Sequence, residues 1–207
     1  MRLFYNRNSS ASRRIQIALE LKKIEYESIE IDLSKGEHLT DRYRSVHPQC
    51  LVPALEVGNG IVLTQSEAIV TWLDNRYSDP PLLGSDPKIR PSVMEVVNII
   101  GCDVHPLQGL RLSRWLEDED VPPHVFKAIA QRAVSEGLHA CEQLLQRAAH
   151  GRYSFSDHPG AADIWLAPQV VNARRHGIDT RQYRRIHEIE GACLQLDAFR
   201  RILLPVA

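Results

Sequence analysis

The sequence predicts an α/β part followed by an all-α part. Residues 1–79 carry the order β-α-β-α-β-β-α, residues 80–90 form a linker, and residues 91–207 are helical throughout. Three observations carry this. Up to Tyr77, short alternating apolar runs interleave with runs at helical spacing. Pro80, Pro81, Gly84, Pro87 and Pro91 then crowd one stretch, where prolines and their predecessors resist helix. Beyond Pro91 the apolar residues recur only at intervals of three and four.

Arg2 to Tyr5 reads as a strand, and Ala11 to Lys23 as a helix whose face carries Ile17, Leu21 and Ile24, widened by Ile15, Ala18 and Leu19. Tyr26 to Leu33 alternates like a half-buried strand, and Leu39 to Val46 fits a short helix. Ala54 to Val57 and Ile61 to Leu63 flank Gly58-Asn59-Gly60, a strong hairpin signal. Ser66 to Tyr77 follows as a helix with Ala68, Ile69, Trp72 and Leu73 on one side. That order is the order of a thioredoxin-like domain.

In the helical part, Val93, Val96, Val97, Ile100, Val104 and Leu107 share a face, and Val125, Ile129, Ala133, Leu138, Cys141, Leu144 and Leu145 share another. Pro106 predicts a break near Cys102, whose carbonyl loses its partner. Gly160 to Arg175 and Gln182 to Leu196 complete the expected helices.

The 207 residues are 43% hydrophobic and 25% charged with a formal net charge of -1, which gives no electrostatic reason to expect nucleic acid or an anionic membrane as partner. Cys50, Cys102, Cys141 and Cys193 are too far apart for a metal knuckle or a Cys-x-x-Cys pair. No apolar run approaches the roughly 18 residues of a membrane span. The expectation is a soluble cytoplasmic protein without a bound metal.

Chemistry concentrates in Asn8-Ser9-Ser10-Ala11-Ser12-Arg13-Arg14, where a strand turns into a helix. The first N–H groups of a helix lack intrahelical partners, and the macrodipole adds roughly half a positive charge there. Such a start stabilises a thiolate, carboxylate or phosphate. Gln65-Ser66 opens a second helix, with Ser66 able to cap it and the free N–H groups able to accept a carboxylate. Asp163, three residues after Gly160, reads as a structural helix-starter, half of a capping box. Arg174-Arg175 fits an exposed helix end before Gly177.

The chain resembles the zeta class of the cytosolic glutathione transferases, which includes maleylacetoacetate isomerase and overlaps with glutathione-dependent maleylpyruvate isomerase. The resemblance runs almost end to end. It rests on Ser9 to Arg14 against the family's Ser-Ser-Cys-Ser-x-Arg, on Pro48 to Pro53, and on Gln65-Ser66. Two further segments are Asp103-Val104-His105-Pro106-Leu107-Gln108 and Ala162-Asp163 through Pro168 to Arg175. It implies glutathione as cofactor, with Ser9 as thiolate partner, Ser10 as its assistant and Arg14 as added positive charge. It further implies a cis Val52-Pro53 bond that offers the Val52 backbone to the tripeptide, the γ-glutamyl carboxylate at Gln65 and Ser66, and contacts from His38 and His105. Arg175 matches the family's substrate-side arginine, and Arg111 is a second candidate for a carboxylate of a dicarboxylic substrate. A homodimer is implied as well.

The chain departs from the family pattern at Asn8, Ala11, Arg13, Gln16, Leu51 and Gly109. Ala11 removes a protein thiol, and Asn8 and Gln16 remove arginines on the substrate side. Three functions are therefore expected in competition: a cis-trans isomerase of maleylacetoacetate or maleylpyruvate, a transferase or dehalogenase acting on small α-halo acids, and a non-catalytic module that binds glutathione or partners.

Overall fold

The computed structural model describes residues 1–84, 86–148 and 151–204. These divide into two compact units, one of residues 1–82 with 201–204 and one formed by the described residues of 83–200. The first unit thus runs past residue 79 to Leu82, which is buried.

In the first unit, β1 (Arg2–Tyr5), α1 (Ser10–Leu21) and β2 (Glu27–Glu30) are followed by a 3-10 turn (Glu37–Leu39) and the single-turn α2 (Asp41–Arg44). The hairpin β3 (Ala54–Gly58) and β4 (Ile61–Thr64) leads into α3 (Ser66–Arg76). The sheet order is β2-β1-β3-β4, with β1 parallel to β2 and antiparallel to β3, and β3 antiparallel to β4. Leu3 and Leu55, paired across β1 and β3, are fully buried. α1 packs against α3 and buries Ile15, Ile17, Ala18 and Leu19 completely. Each such Ile or Leu contributes about 1.5–3 kcal/mol relative to an exposed one. At the end of α1 the Lys22 ammonium is buried and donates to Asp74 at 2.9 Å and to the carbonyls of Tyr77 and Pro80.

Three expectations need correction here. β2 is an edge strand of only four residues with Glu27, Ser28 and Glu30 exposed, because its sole partner, β1, is equally short. The helix expected from Leu39 to Val46 breaks at Thr40, whose extended backbone lets Oγ1 accept the Tyr43 N–H at 3.3 Å. α3 buries Ile69, Val70 and Leu73, while Ala68 is exposed and Trp72 half-buried.

The second unit contains α4 (Arg90–Asn98), a π-helical segment (Ile99–Val104), α5 (His105–Gln108), α6 (Leu110–Asp118) and α7 (Pro123–Arg147). It continues with α8 (Ala161–Arg175), a 3-10 turn (Thr180–Gln182), α9 (Arg184–Leu194) and α10 (Asp197–Leu203), whose last residues group with the first unit. The break predicted from Pro106 takes the form of the π segment. The chain stays helical, but the His105 N–H donates to the Ile100 carbonyl five residues back, and the wider turn accommodates the missing donor of Pro106. α7 lies against this segment through Gly137, where a Cβ would meet Val104 Cγ2 at 2.1 Å. The buried seam of α7 is Ala130, Val134, Leu138, Cys141 and Leu145; Val125, Ile129, Ala133 and Leu144 are only partly covered. From α7, buried Glu142 accepts the backbone N–H groups of Arg185 and Ile186, each at 2.9 Å, and so caps the start of α9. Among the described residues, no helix is long and apolar enough to cross a membrane.

Candidate active site

The turn from β1 into α1 is organised by three polar side chains. Ser9 occupies the N-cap, and its Oγ accepts the Ser12 N–H at 3.2 Å, which leaves its own O–H to be donated. Ser10, the first residue of α1, is 7% exposed. Ser12 serves the loop instead, its Oγ accepting the Asn6 N–H at 3.1 Å. Asn6 pins the same loop from its other end, donating to the Ile31 carbonyl at 2.9 Å and accepting the Asn8 N–H at 3.0 Å. Sequence reasoning passed over Asn6 because a lone asparagine in a turn carries no signal beyond the turn. Arg13 folds back, its Nε donating to the Arg7 carbonyl at 3.0 Å.

Arg14 is not a solvated helix arginine. It is 1% exposed, and its Nη1 donates to Ser66 Oγ at 3.2 Å, linking α1 to the first residue of α3. Ser66 is therefore not the cap of α3, contrary to expectation. Gln65 holds the cap position with φ 69° and ψ 119°, and its side chain makes no capping hydrogen bond. A positive φ at a non-glycine costs of order 1–3 kcal/mol. The Gln65 side chain donates to Gln49 Oε1 at 2.6 Å.

The loop before β3 carries the cis Val52-Pro53 bond, with Pro53 buried and Val52 half-buried. Tyr43 braces this loop, its hydroxyl donating to the Leu51 carbonyl at 2.7 Å. Burial also raises the Tyr43 pKa above the ordinary phenol value. His47, 1% exposed, accepts the Gln49 N–H on Nδ1 at 3.2 Å, and burial pulls its pKa below the usual imidazole value. His38 is 5% exposed in the 3-10 turn.

The other predicted site residues belong to the second unit. His105 opens α5 and is half-buried. Arg111, exposed on α6, stacks its guanidinium 5.1 Å from the centre of the Trp115 ring. Arg175, exposed, ends α8. Its neighbour Arg174 is structural: its guanidinium forms a two-pronged pair with Glu190, and its Nε donates to Thr180 Oγ1 at 3.0 Å. Asp163 is 2% exposed and accepts from the Gly160 N–H at 2.8 Å and from the Ser154 N–H and O–H at 2.9 and 2.7 Å. It is a buried helix-starter with more partners than the half box required, and burial pushes its carboxyl up. Burial likewise pushes the Cys141 thiol up to about 12 and raises that of Cys193, so both stay protonated at neutral pH. Among the described residues, no group of His, Cys, Asp and Glu is placed to hold a metal ion.

In the first unit, the donors at the start of α1 and α3, with a buried guanidinium joined to the second, suit a peptide that carries a thiolate and a carboxylate. Residues 8–76 match the family model for the glutathione S-transferase N-terminal domain. The chain is 41% identical to a maleylpyruvate isomerase of Ralstonia sp over 203 residues, covering 97% of this chain and 95% of that protein. The chain belongs to the zeta class of the glutathione transferases. A solved holo structure of a bacterial zeta-class maleyl pyruvate isomerase superposes with a TM-score of 0.93 at 41% identity, covering 98% of this chain and 96% of that one. A maleylacetoacetate isomerase from Methylobacterium extorquens AM1, solved with bound malonate and glutathione, gives a TM-score of 0.93 at 33% identity with the same coverage. This zeta-class chain carries the Ser9-Ser10 pair, the cis Val52-Pro53 bond and Gln65-Ser66, with Ala11 between Ser10 and Ser12.

Proposed function

We propose that the protein is a glutathione-dependent cis-trans isomerase of a dicarboxylic enedione, maleylpyruvate or maleylacetoacetate. The observation that carries this is the end-to-end likeness to a maleylpyruvate isomerase, combined with a serine-capped helix start built to favour a thiolate. Bound glutathione supplies a sulfur nucleophile that adds reversibly to the cis double bond, permits rotation, and leaves unchanged.

The chain's residues perform the rest. Ser9 donates its hydroxyl to the sulfur, assisted by Ser10 and the N-terminus of α1, and so lowers the thiol pKa from its ordinary value near 8.5. Arg14 adds buried positive charge to the same unit. His38, the Val52 backbone beside Pro53, Gln65, Ser66 and His105 hold the tripeptide. Arg175 and Arg111 hold the substrate carboxylates, since a guanidinium donates two parallel hydrogen bonds and stabilises the negative charge that gathers during addition. Residues 1–79 thus form the glutathione domain and 91–207 the substrate side. By family analogy the protein acts as a cytoplasmic homodimer.

An assay of the purified protein with maleylpyruvate and maleylacetoacetate, with and without glutathione, tests the proposal. The expected result is isomerisation only with glutathione present, and total glutathione unchanged at the end. Consumption of glutathione with an α-halo acid and no isomerisation would replace it with a transferase or dehalogenase. Retention on immobilised glutathione without any turnover would leave a binding module.

A further inference from the structure

We infer that His47 is a positioning residue for glutathione: its neutral imidazole sets the turn that presents the Val52 backbone, and a proton on that ring loosens the seat of the tripeptide. This rests on the glutathione reading above. The turn from His47 to Val52 is held at both ends by side chains. At its start, His47 Nδ1 accepts the Gln49 N–H at 3.2 Å, and the His47 carbonyl accepts the Cys50 N–H at 2.8 Å. At its end, the Tyr43 hydroxyl donates to the Leu51 carbonyl at 2.7 Å, one residue before Val52. Between them, Gln49 Oε1 accepts the Gln65 side chain at 2.6 Å, so the same turn also seats Gln65. Cys50 has φ 55° and Gln65 φ 69°, and positive values at non-glycine residues cost of order 1–3 kcal/mol each. Hydrogen bonds must therefore hold this turn against relaxation.

Of the three side chains that hold it, His47, Tyr43 and Gln49, the imidazole is the one that gains a proton in the range from pH 8 to 5. Its ring is 1% exposed and stacks on Tyr43, with centroids 6.5 Å apart and 27° between the planes. An acceptor at Nδ1 requires the hydrogen on Nε2. A second proton goes to Nδ1 and meets the Gln49 N–H, donor against donor. The titratable groups that ring contacts and hydrogen bonds bring against His47 are Tyr43 of α2 and Cys50 of its own turn, and among the described residues no Asp or Glu pairs with it. Burial disfavours the charged ring. The proton is therefore taken up as the turn opens, and the apparent affinity for a ligand of the closed turn falls with the closed fraction.

Calorimetry on the intact protein tests this with S-methylglutathione, which has no thiol to titrate and whose carboxylates and amine largely keep their charges between pH 7 and 5. Circular dichroism at each pH restricts the comparison to folded protein. Wild type is expected to bind about fivefold more weakly at pH 5 than at pH 7. His47→Asn, whose Oδ1 can stand where Nδ1 stood and takes no proton, should match wild type at pH 7 and keep that affinity at pH 5. His47→Phe keeps the stacking without an acceptor, and should bind about fivefold more weakly at both pH values. In turnover at pH 7 its loss should appear in KM for glutathione, with kcat at saturation unchanged. A pH dependence that survives in His47→Asn belongs to His38, His105 or another group and overturns the inference. So does a His47→Asn variant as weak as His47→Phe at pH 7. Should His47→Phe fail to fold, the contrast between wild type and His47→Asn still decides. If wild type takes up no S-methylglutathione at millimolar concentration at pH 7, the glutathione reading itself has failed; uptake that stays level from pH 7 to 5 removes only the role of His47.

Discussion

Gln108 and Gln169 hold each other's side chains, each donating its amide nitrogen to the other's oxygen, at 2.7 and 3.0 Å. The pair joins α5 to α8, with Gln108 8% exposed and Gln169 fully buried. This bond gives both a structural use. A buried amide left alone costs about 1–3 kcal/mol. Gln169→Met should therefore lower the unfolding free energy by about that amount, and Gln108→Met by a similar one. The double variant, with no amide left unsatisfied, should lose less than the sum of the two. Additive losses in denaturant titrations would deny the coupling.

Ser9 caps α1 and is the proposed donor to the thiolate, and two measurements on one variant read these apart. Ser9→Ala removes the acceptor for the Ser12 N–H, a cap worth about 0.5–2 kcal/mol, and also the proposed donor to the thiolate. Stability should fall modestly, while kcat/KM falls about 10-fold to 100-fold because the bound thiol titrates at higher pH. Ultraviolet titration of bound glutathione reads this directly. An unmoved titration would remove Ser9 from the sulfur.

Arg175 is exposed at the end of α8, whereas Arg174 beside it is tied to Glu190 and Thr180. Arg175→Ala should raise KM for a dicarboxylate about tenfold and leave a neutral electrophile unaffected. Arg174→Ala should instead lower the thermal midpoint. Equal KM effects of Arg175→Ala on both substrates would contradict a carboxylate contact.

His47 sets a pH limit on the first unit. Burial lowers its folded-state pKa below that of the unfolded chain, and its Nδ1 must stay unprotonated to accept the Gln49 N–H. For a histidine with a depressed folded value, the unfolded state binds the proton first as pH falls. Stability is then full above about pH 6.5 and is lost as pH drops from there through the folded value. His47→Gln should flatten this part of the stability profile. A thermal midpoint in wild type that stays level from pH 7 to 5 would refute it.

Local pattern determined much of this protein. Apolar periodicity placed β1, the hairpin and the long helices, because burial of one face imposes a spacing that survives in the chain as written. Pro106 announced a break by its missing donor, and Asp163 announced a helix start by its distance from Gly160. What a residue's neighbours do across space was not written there. The brevity of β2 follows from its edge place in the sheet, the π form of the break and the need for Gly137 follow from α7 lying against Val104, and the structural tie of Arg174 follows from Glu190 on another helix. The same holds for Ser66, a cap by its sequence position and a hydroxyl held by Arg14 in the folded chain. Backbone periodicity is a property of a few consecutive residues. Pairing of long polar side chains depends on which distant segment packing brings within about 3 Å, and only the tertiary structure decides that.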